Sequence, residues 1–340
     1  MMLIRPAQPG DQDDIVALAK EAGTGLTTLP KKPELVAEKI AASCDAFALS
    51  VDQAGPEYYL FVLEDTQTGK VVGTSALYAA VGLEEAFYSY KVGTVVHSSP
   101  SLGVYGRAKV LYLGNDFTGC SEIATLFLSR NNRGGNLGPL LSRSRFLFMA
   151  QFPDRFSDSV IAEMRGVSDE QGNSPFWDAL GKKFFNMKFA DADAISGLGE
   201  NQFIAELMPK YPVYVNMLSP EARAVIGQVH EKTRPAIRML TREGFRYEGY
   251  VDIFDAGPTL EVKKSEIRSL RKSQVLPTRV ADRLPDGEDT FLVCNMEREG
   301  FRALLSQGSQ VQDHLVLPAD TLDLLNINPG EPVRSVPVLT

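Results

Sequence analysis

The 340-residue sequence predicts an α/β (α+β) fold followed by a small C-terminal β-barrel. Three observations predict it. Apolar β-like runs alternate with helix-spaced segments as far as about residue 273. The runs Tyr58 to Leu63 and Val71 to Tyr78 flank a polar connection of hairpin length. Beyond Gln274 the texture changes to short strand-like pieces separated by Pro, Gly and Asp turns.

Taken in order, Met2 to Arg5 reads as a first strand. Asp11 to Lys20 reads as a helix, with Ile15, Val16, Leu18 and Ala19 on helical spacing behind acidic residues. Gly23 to Pro30, rich in Gly and Thr, is a loop of the kind that lines sites, and Pro33 to Ser43 a second helix. After the hairpin, residues 82–120 read as an irregular insertion with Phe87, Tyr88 and Tyr90 and β-like runs around Thr94 to His97 and Val110 to Leu113. Glu122 to Leu128 is a buried strand leading through a Gly/Asn-rich turn to the helix Pro139 to Gln151. Then come a strand at Val160 to Val167, a helix at Pro175 to Phe185, and short strands at Phe203 to Leu207 and Val225 to His230. A helix from Thr233 to Glu243, capped by Thr233 and closed by Gly244, precedes the strand Phe245 to Phe254. Trp177, Phe184, Phe185 and Phe189 lie at helical spacing and are assigned to packing. The barrel pieces are Phe291 to Cys294, Arg302 to Leu305, His314 to Leu317 and Pro332 to Val338. Leu325 to Val333 has the helix, turn and strand of a double-psi-like barrel, so the expected domains are 1–273 and 274–340.

Composition narrows the function. Hydrophobic residues at 44% and charged residues at 23% describe an ordinary globular chain. With 43 acidic against 35 basic side chains the net charge is -8, which argues against nucleic acid as a partner. Cys44, Cys120 and Cys294 are far apart and lack CxxC spacing, so neither a metal site nor a disulfide framework is expected and a cytoplasmic setting fits. The N-terminus turns polar within a few residues, and no apolar run approaches the roughly 18 residues of a membrane span.

The most informative stretch is Leu126 to Leu141, where a strand feeds Arg133-Gly134-Gly135-Asn136-Leu137-Gly138 and a helix follows. Small residues leave backbone N–H groups facing outward ahead of a helix N-terminus, an arrangement suited to pyrophosphate. A plain turn joining strand to helix is the alternative. The stretch matches neither GxxxxGK[ST] nor an early GxGxxG. With the order of elements around it, the loop resembles the Arg/Gln-x-x-Gly-x-Gly/Ala motif of the GNAT acyl-CoA N-acyltransferases, with Asn136 in place of the middle glycine. Asn tolerates the left-handed backbone such a position needs.

Across nearly the whole chain the sequence resembles the arginine N-succinyltransferase family. Gly25-Leu26-Thr27-Thr28-Leu29-Pro30, Phe61-Val62-Leu63-Glu64-Asp65, Ile161-Ala162-Glu163-Met164-Arg165-Gly166 and Ser174-Pro175-Phe176-Trp177 carry the resemblance. Phe203 to Pro209, Ile226-Gly227-Gln228-Val229-His230 and Tyr250 to Pro258 carry it further. It implies a GNAT-like core with a mixed, mostly antiparallel sheet, and transfer of succinyl from succinyl-CoA to the α-amine of L-arginine in arginine catabolism. Succinyl-CoA would be a co-substrate, with no permanently bound cofactor. It also implies that His230 is the proton donor and Leu126 a succinyl-CoA contact, and that the enzyme is a homo-oligomer or one of paired α and β chains.

The chemistry needs an unprotonated amine, a donor for the oxyanion and a proton for the CoA thiolate. The backbone N–H at Leu126 or nearby, at the end of a strand that leads to the glycine loop, is a candidate to meet an oxyanion or thioester carbonyl; a fully paired sheet amide is the alternative. Of His97, His230 and His314, His230 lies at a strand end before a helix, where sites gather. A guanidinium needs carboxylates, and Glu163, Glu206, Asp252 and Asp255 lie on or beside core strands. Salt bridges to edge arginines such as Arg165 are the plainer reading of each. The loop Gly23 to Thr28 is a candidate for the substrate carboxylate. Two rivals stay open: an ornithine or other basic-amine N-acyltransferase, and a CoA-binding non-catalytic subunit of a two-chain enzyme.

Overall fold

The computed structural model describes residues 1–23, 26, 28–169, 172–196, 202–281 and 289–338. Its strands are β1 Met2–Pro6, β2 Tyr58–Asp65, β3 Lys70–Tyr78, β4 Ser89–Ser99, β5 Val104–Gly114, β6 Ser121–Leu128, β7 Ser159–Glu163 and β8 Val213–Tyr214. They continue with β9 Arg246–Val251, β10 Pro258–Lys263, β11 Gln274–Val280, β12 Asp289–Cys294, β13 Ala303–Val311, β14 His314–Leu317 and β15 Pro332–Pro337. The order across the sheet is β12-β15-β11-β14-β13-β1-β2-β3-β6-β7-β10-β9-β4-β5-β8, and β12 also pairs with β13. That extra pairing closes the last five strands into a barrel, which joins the main sheet where Ile4 on β1 faces Ala303 on β13. The β6–β7 and β11–β14 pairs are parallel and the other ladders antiparallel.

The elements follow from their residues. The β2–β3 hairpin turns through Asp65 to Gly69, where Gly69 takes φ +68 and Asp65 accepts from Gln67 N–H and Thr68 Oγ1. Helix Leu137–Gln151 lies across one face of the main sheet. Its Leu141, Phe146, Leu147, Phe148 and Met149 are fully buried against Tyr59, Phe61 and Leu77. Each such side chain contributes on the order of 1.5–3 kcal/mol. Helices Gln12–Ala22 and Pro33–Ala48 cover the opposite face, where Ile15, Val36 and Ile40 pack on Tyr58, Leu60 and Ala76.

Several expectations need correction. Residues 82–120 are a regular hairpin of two 11-residue strands, β4 and β5, extending the far edge of the sheet. Phe203 to Leu207 lies within a helix, Gln202–Leu207. Val225 to His230 is not a strand. Val225 ends the helix Pro220–Val225, and the segment beyond touches the sheet through one bridge, Val229 to Gly166. Strand β7 stops at Glu163, short of Val167. Pro175 to Phe185 is two short helices broken at Leu180, and the second begins at Gly181, where a Cβ would sit 2.2 Å from the Trp177 ring. Trp177, Phe185 and Phe189 are buried together as expected, but Phe184 points outward at 41% exposure. Thr233 makes no side-chain cap; Gly244 does close the helix, in the left-handed conformation. Thr24, Gly25 and Thr27 of the Gly23 to Thr28 loop lie outside the described residues.

Candidate active site

Strands β6 and β7 share two register pairs, Ser121 with Val160 and Glu122 with Ile161, and then diverge. β6 continues along β3 and β7 along β10, which opens a wedge between parallel strands. Leu126 and Arg165 each lie four residues beyond the last shared pair, on opposite arms of that wedge. On the β6 arm the ladder is broken. Thr74 faces Phe127 and Ala76 faces Ala124, so Ser75 alone stands opposite both Thr125 and Leu126. Thr125, buried, takes φ +56, a strained conformation for a β-branched residue.

Two side chains hold this bulge. The Thr74 hydroxyl donates to Thr125 O at 3.0 Å. Arg145, 1% exposed, donates to Ala124 O at 3.1 Å, to Ala76 O at 3.5 Å and to Ser142 O at 3.1 Å. Among the described residues no carboxylate lies within ion-pair distance of it, and burial lowers it to about 9, which leaves it cationic at neutral pH. The Leu126 N–H belongs to the peptide group whose carbonyl Thr74 holds, and it lies outside the register. An amide so placed can meet an oxyanion.

Past the end of β6, Gly134 at φ +123, Gly135 at φ +55 and Asn136 at φ +62 turn the chain into helix Leu137–Gln151. Asn136 therefore occupies the left-handed conformation its side chain tolerates. No side chain caps this helix and no acidic residue occupies its first turn, so its positive end is uncompensated. A Cβ at Gly134, Gly135 or Gly138 would meet nothing within 4 Å, which leaves the approach open to a phosphate. Exposed Arg133 donates to Leu128 O at 3.3 Å and stands beside it.

On the β7 arm, the His230 N–H donates to Arg165 O at 2.9 Å and Gly227 N–H to Ala256 O at 2.9 Å. His230 is thus tied by its backbone to the wedge although it lies on no strand. Its Nδ1 accepts the Lys232 N–H at 3.1 Å, so the neutral ring carries its hydrogen on Nε2. Partial burial, with Arg165 and Lys232 nearby, lowers its pKa and keeps the ring neutral.

Four carboxylates gather beside the wedge. Burial pushes Glu163 well above the usual range, and Asp252, Glu122 and Asp255 push it further. Glu163 and Asp252 keep part of their surface open. Burial also raises Asp252, against the amides of Phe254 and Asp255 that it accepts at 2.7 and 2.8 Å. Asp255 is raised by burial and by Asp252; it accepts from Gly166 N–H at 2.7 Å and Gly257 N–H at 2.8 Å, stapling this loop to the end of β7. Glu122 is 6% exposed and held at about 7 by burial, with Lys39 opposing. The register puts Tyr58, Tyr78, Glu122 and Ile161 in one row of the sheet. Glu163, two positions further along β7, faces Thr259, and the buried Thr259 hydroxyl has no partner among the described residues.

The structure thus brings Leu126, the glycine loop, Glu163, Asp252 and His230 around one wedge. Glu206 is exposed on helix Gln202–Leu207. Sequence reasoning missed Lys39, Thr74, Glu122 and Arg145. Glu122 and Arg145 did carry a signal, a charged residue inside an otherwise apolar strand or helix face; Lys39 and Thr74 carried none. Among the described residues no His, Cys, Asp and Glu group could hold a metal ion, and no helix is long and apolar enough to cross a membrane.

A splayed parallel pair, a bulged strand and a glycine loop opening a helix define an acyl-CoA N-acyltransferase of the GNAT type. Residues 2–269 match the family model of the arginine N-succinyltransferase beta subunit, and residues 274–337 that of its C-terminal domain. The chain belongs to this arginine N-succinyltransferase family. It is 47% identical over 336 residues to the arginine N-succinyltransferase of Enterobacter sp. (strain 638), covering 99% of this chain and 97% of that one. It is 46% identical over 338 residues to that of Escherichia coli, with the same coverage. The solved structure of arginine/ornithine succinyltransferase subunit AI from Pseudomonas aeruginosa is 38% identical, has a TM-score of 0.92, and is matched over 100% of this chain and 99% of that one.

Proposed function

We propose that the chain transfers a succinyl group from succinyl-CoA to the α-amine of L-arginine, in the cytoplasm, as a step of arginine breakdown. The observation that carries this reading is the meeting of an acidic sheet face with an acyl-CoA wedge. Arg133, Gly134, Gly135, Asn136 and Gly138 hold the pyrophosphate, and the wedge takes the pantetheine arm. Glu163 and Asp252 face the cationic ends of arginine. Glu206, exposed on helix Gln202–Leu207, is the third candidate carboxylate.

The ammonium gives up its proton to the acidic face, where Glu122 is held at about 7, a value matched to that exchange. The free amine then attacks the thioester carbon. The carbonyl oxygen takes the negative charge and meets the Leu126 N–H. As the C–S bond breaks, the His230 Nε2–H hydrogen-bonds to the departing sulfur, the attacking nitrogen releases its surplus proton through that ring to the thiolate, and the new C–N bond remains. The chain works as a homo-oligomer or with a paired chain, and domains 1–273 and 274–340 divide it at the start of the barrel.

Thiol release from succinyl-CoA by the purified chain tests the reading, with arginine present or omitted and acetyl-CoA as rival donor. Release that requires arginine and prefers succinyl-CoA is expected. His230→Ala lowers kcat far more than CoA affinity; an unchanged kcat refutes its role. Ornithine is a second acceptor to try, because the Pseudomonas aeruginosa relative is an arginine/ornithine succinyltransferase subunit. CoA binding without turnover on any amine points instead to a chain that needs its partner.

A further inference from the structure

We infer that Lys39 reads the α-carboxylate of the acceptor, which makes the site selective for a free amino acid over the corresponding amine. The inference rests on the arginine reading above and deepens it. L-Arginine carries two cationic groups and one anionic group, so a complementary site needs several carboxylates and one available cation. The acidic face supplies Glu122, Glu163, Asp252 and Asp255. Lys39, on the helix Pro33–Ala48, supplies the cation. Its Nζ donates to Tyr78 Oη at 2.9 Å and lies 4.7 Å from the centre of the Tyr58 ring and 5.4 Å from that of Tyr78.

Among the described residues Lys39 has no carboxylate within ion-pair distance. One hydrogen bond and two aromatic faces fix the ammonium without neutralising it, and two of its three donors stay available.

The position fits the role. Tyr78 faces Glu122 across β3 and β6, so Lys39 stands over the row that opens the wedge. Tyr58 faces Tyr78, and Tyr78 faces Glu122, which lies three residues ahead of Thr125 on β6, so the ammonium stands beside the strand that presents the Leu126 N–H. An amino acid has only one carbon between its carboxylate and its amine. A carboxylate held at Lys39 therefore keeps the amine on the bulge side and leaves the guanidinium for the carboxylates.

The test compares L-arginine with agmatine, which keeps the amine and guanidinium and has hydrogen in place of the carboxylate. A charge-assisted hydrogen bond of this kind corresponds to about 30-fold in kcat/KM. The unsubstituted chain should prefer arginine by about that factor. Lys39→Met should lower kcat/KM for arginine by a similar factor, mainly through KM, with a far smaller fall for agmatine. Lys39→Arg should restore much of the preference and controls for folding. Calorimetric binding of both compounds reads the same contrast if turnover requires a second chain. A preference that survives in Lys39→Met, or an equal loss for both compounds, overturns the assignment to Lys39 alone. An unsubstituted chain that neither binds nor uses arginine overturns the arginine reading along with it.

Discussion

The buried Glu122 should make stability depend on pH in a direction opposite to that of a salt-bridged carboxylate. Its pKa rises from 4.5 to about 7 because burial penalises the charged form. The folded chain therefore holds this proton more tightly than the unfolded chain does. The resulting stability is fully present below about 4.5 and is lost as pH rises through about 7. At 1.36 kcal/mol per pH unit, that displacement corresponds to roughly 3 kcal/mol. Glu122→Gln keeps the shape and removes the ionisation. By chemical denaturation at pH 5 and pH 8, the variant should exceed the parent by under about 1 kcal/mol at pH 5 and by about 3 kcal/mol at pH 8. A difference that is the same at both pH values refutes the argument, because Glu122 would then not be ionising at a cost in the folded protein.

Two further substitutions probe how the wedge is built. At Gly166 a Cβ would sit 2.5 Å from Asp255 Oδ1 and 2.6 Å from both Asp255 O and Gly257 N. Gly166→Ala should lower the denaturation midpoint by the equivalent of more than about 2 kcal/mol and displace His230, cutting kcat; a variant with parental stability refutes the close packing. Thr74→Val removes the donor to Thr125 O at nearly constant shape, which should cost about 1–2 kcal/mol and lower kcat with little change in CoA affinity. Thr74→Ser should recover both, and equal activity of Val and Ser variants would show that the bulge holds without the hydroxyl.

Much of this molecule was legible where a local pattern matches a local structure. Gly134, Gly135 and Asn136 announce a left-handed turn into a helix, and all three adopt it. The polar stretch between Leu63 and Val71 announces a hairpin, and it forms. Short apolar runs gave no such guidance. Phe203 to Leu207 and Val225 to His230 have neither the length nor the period to separate helix from strand. His230 was placed near the site for a reason the structure replaces: it is held by the carbonyl of Arg165 from a non-strand segment.

What sequence could not give is the geometry set by partners far apart along the chain. Thr125 is an unremarkable residue in an apolar run, and its positive φ follows from Thr74 on the neighbouring strand and Arg145 on the helix beneath. The same bulge joins the two halves of the chemistry. On the proposed reading the displaced Leu126 amide faces the acyl-CoA, and four residues earlier on the same strand Glu122 pairs with Tyr78, one of the two tyrosines that carry Lys39. On the proposed reading, a single break in one ladder therefore sets where the thioester is polarised, close to the row from which the amine arrives. This explains why a strained backbone is kept at the centre of an otherwise regular sheet.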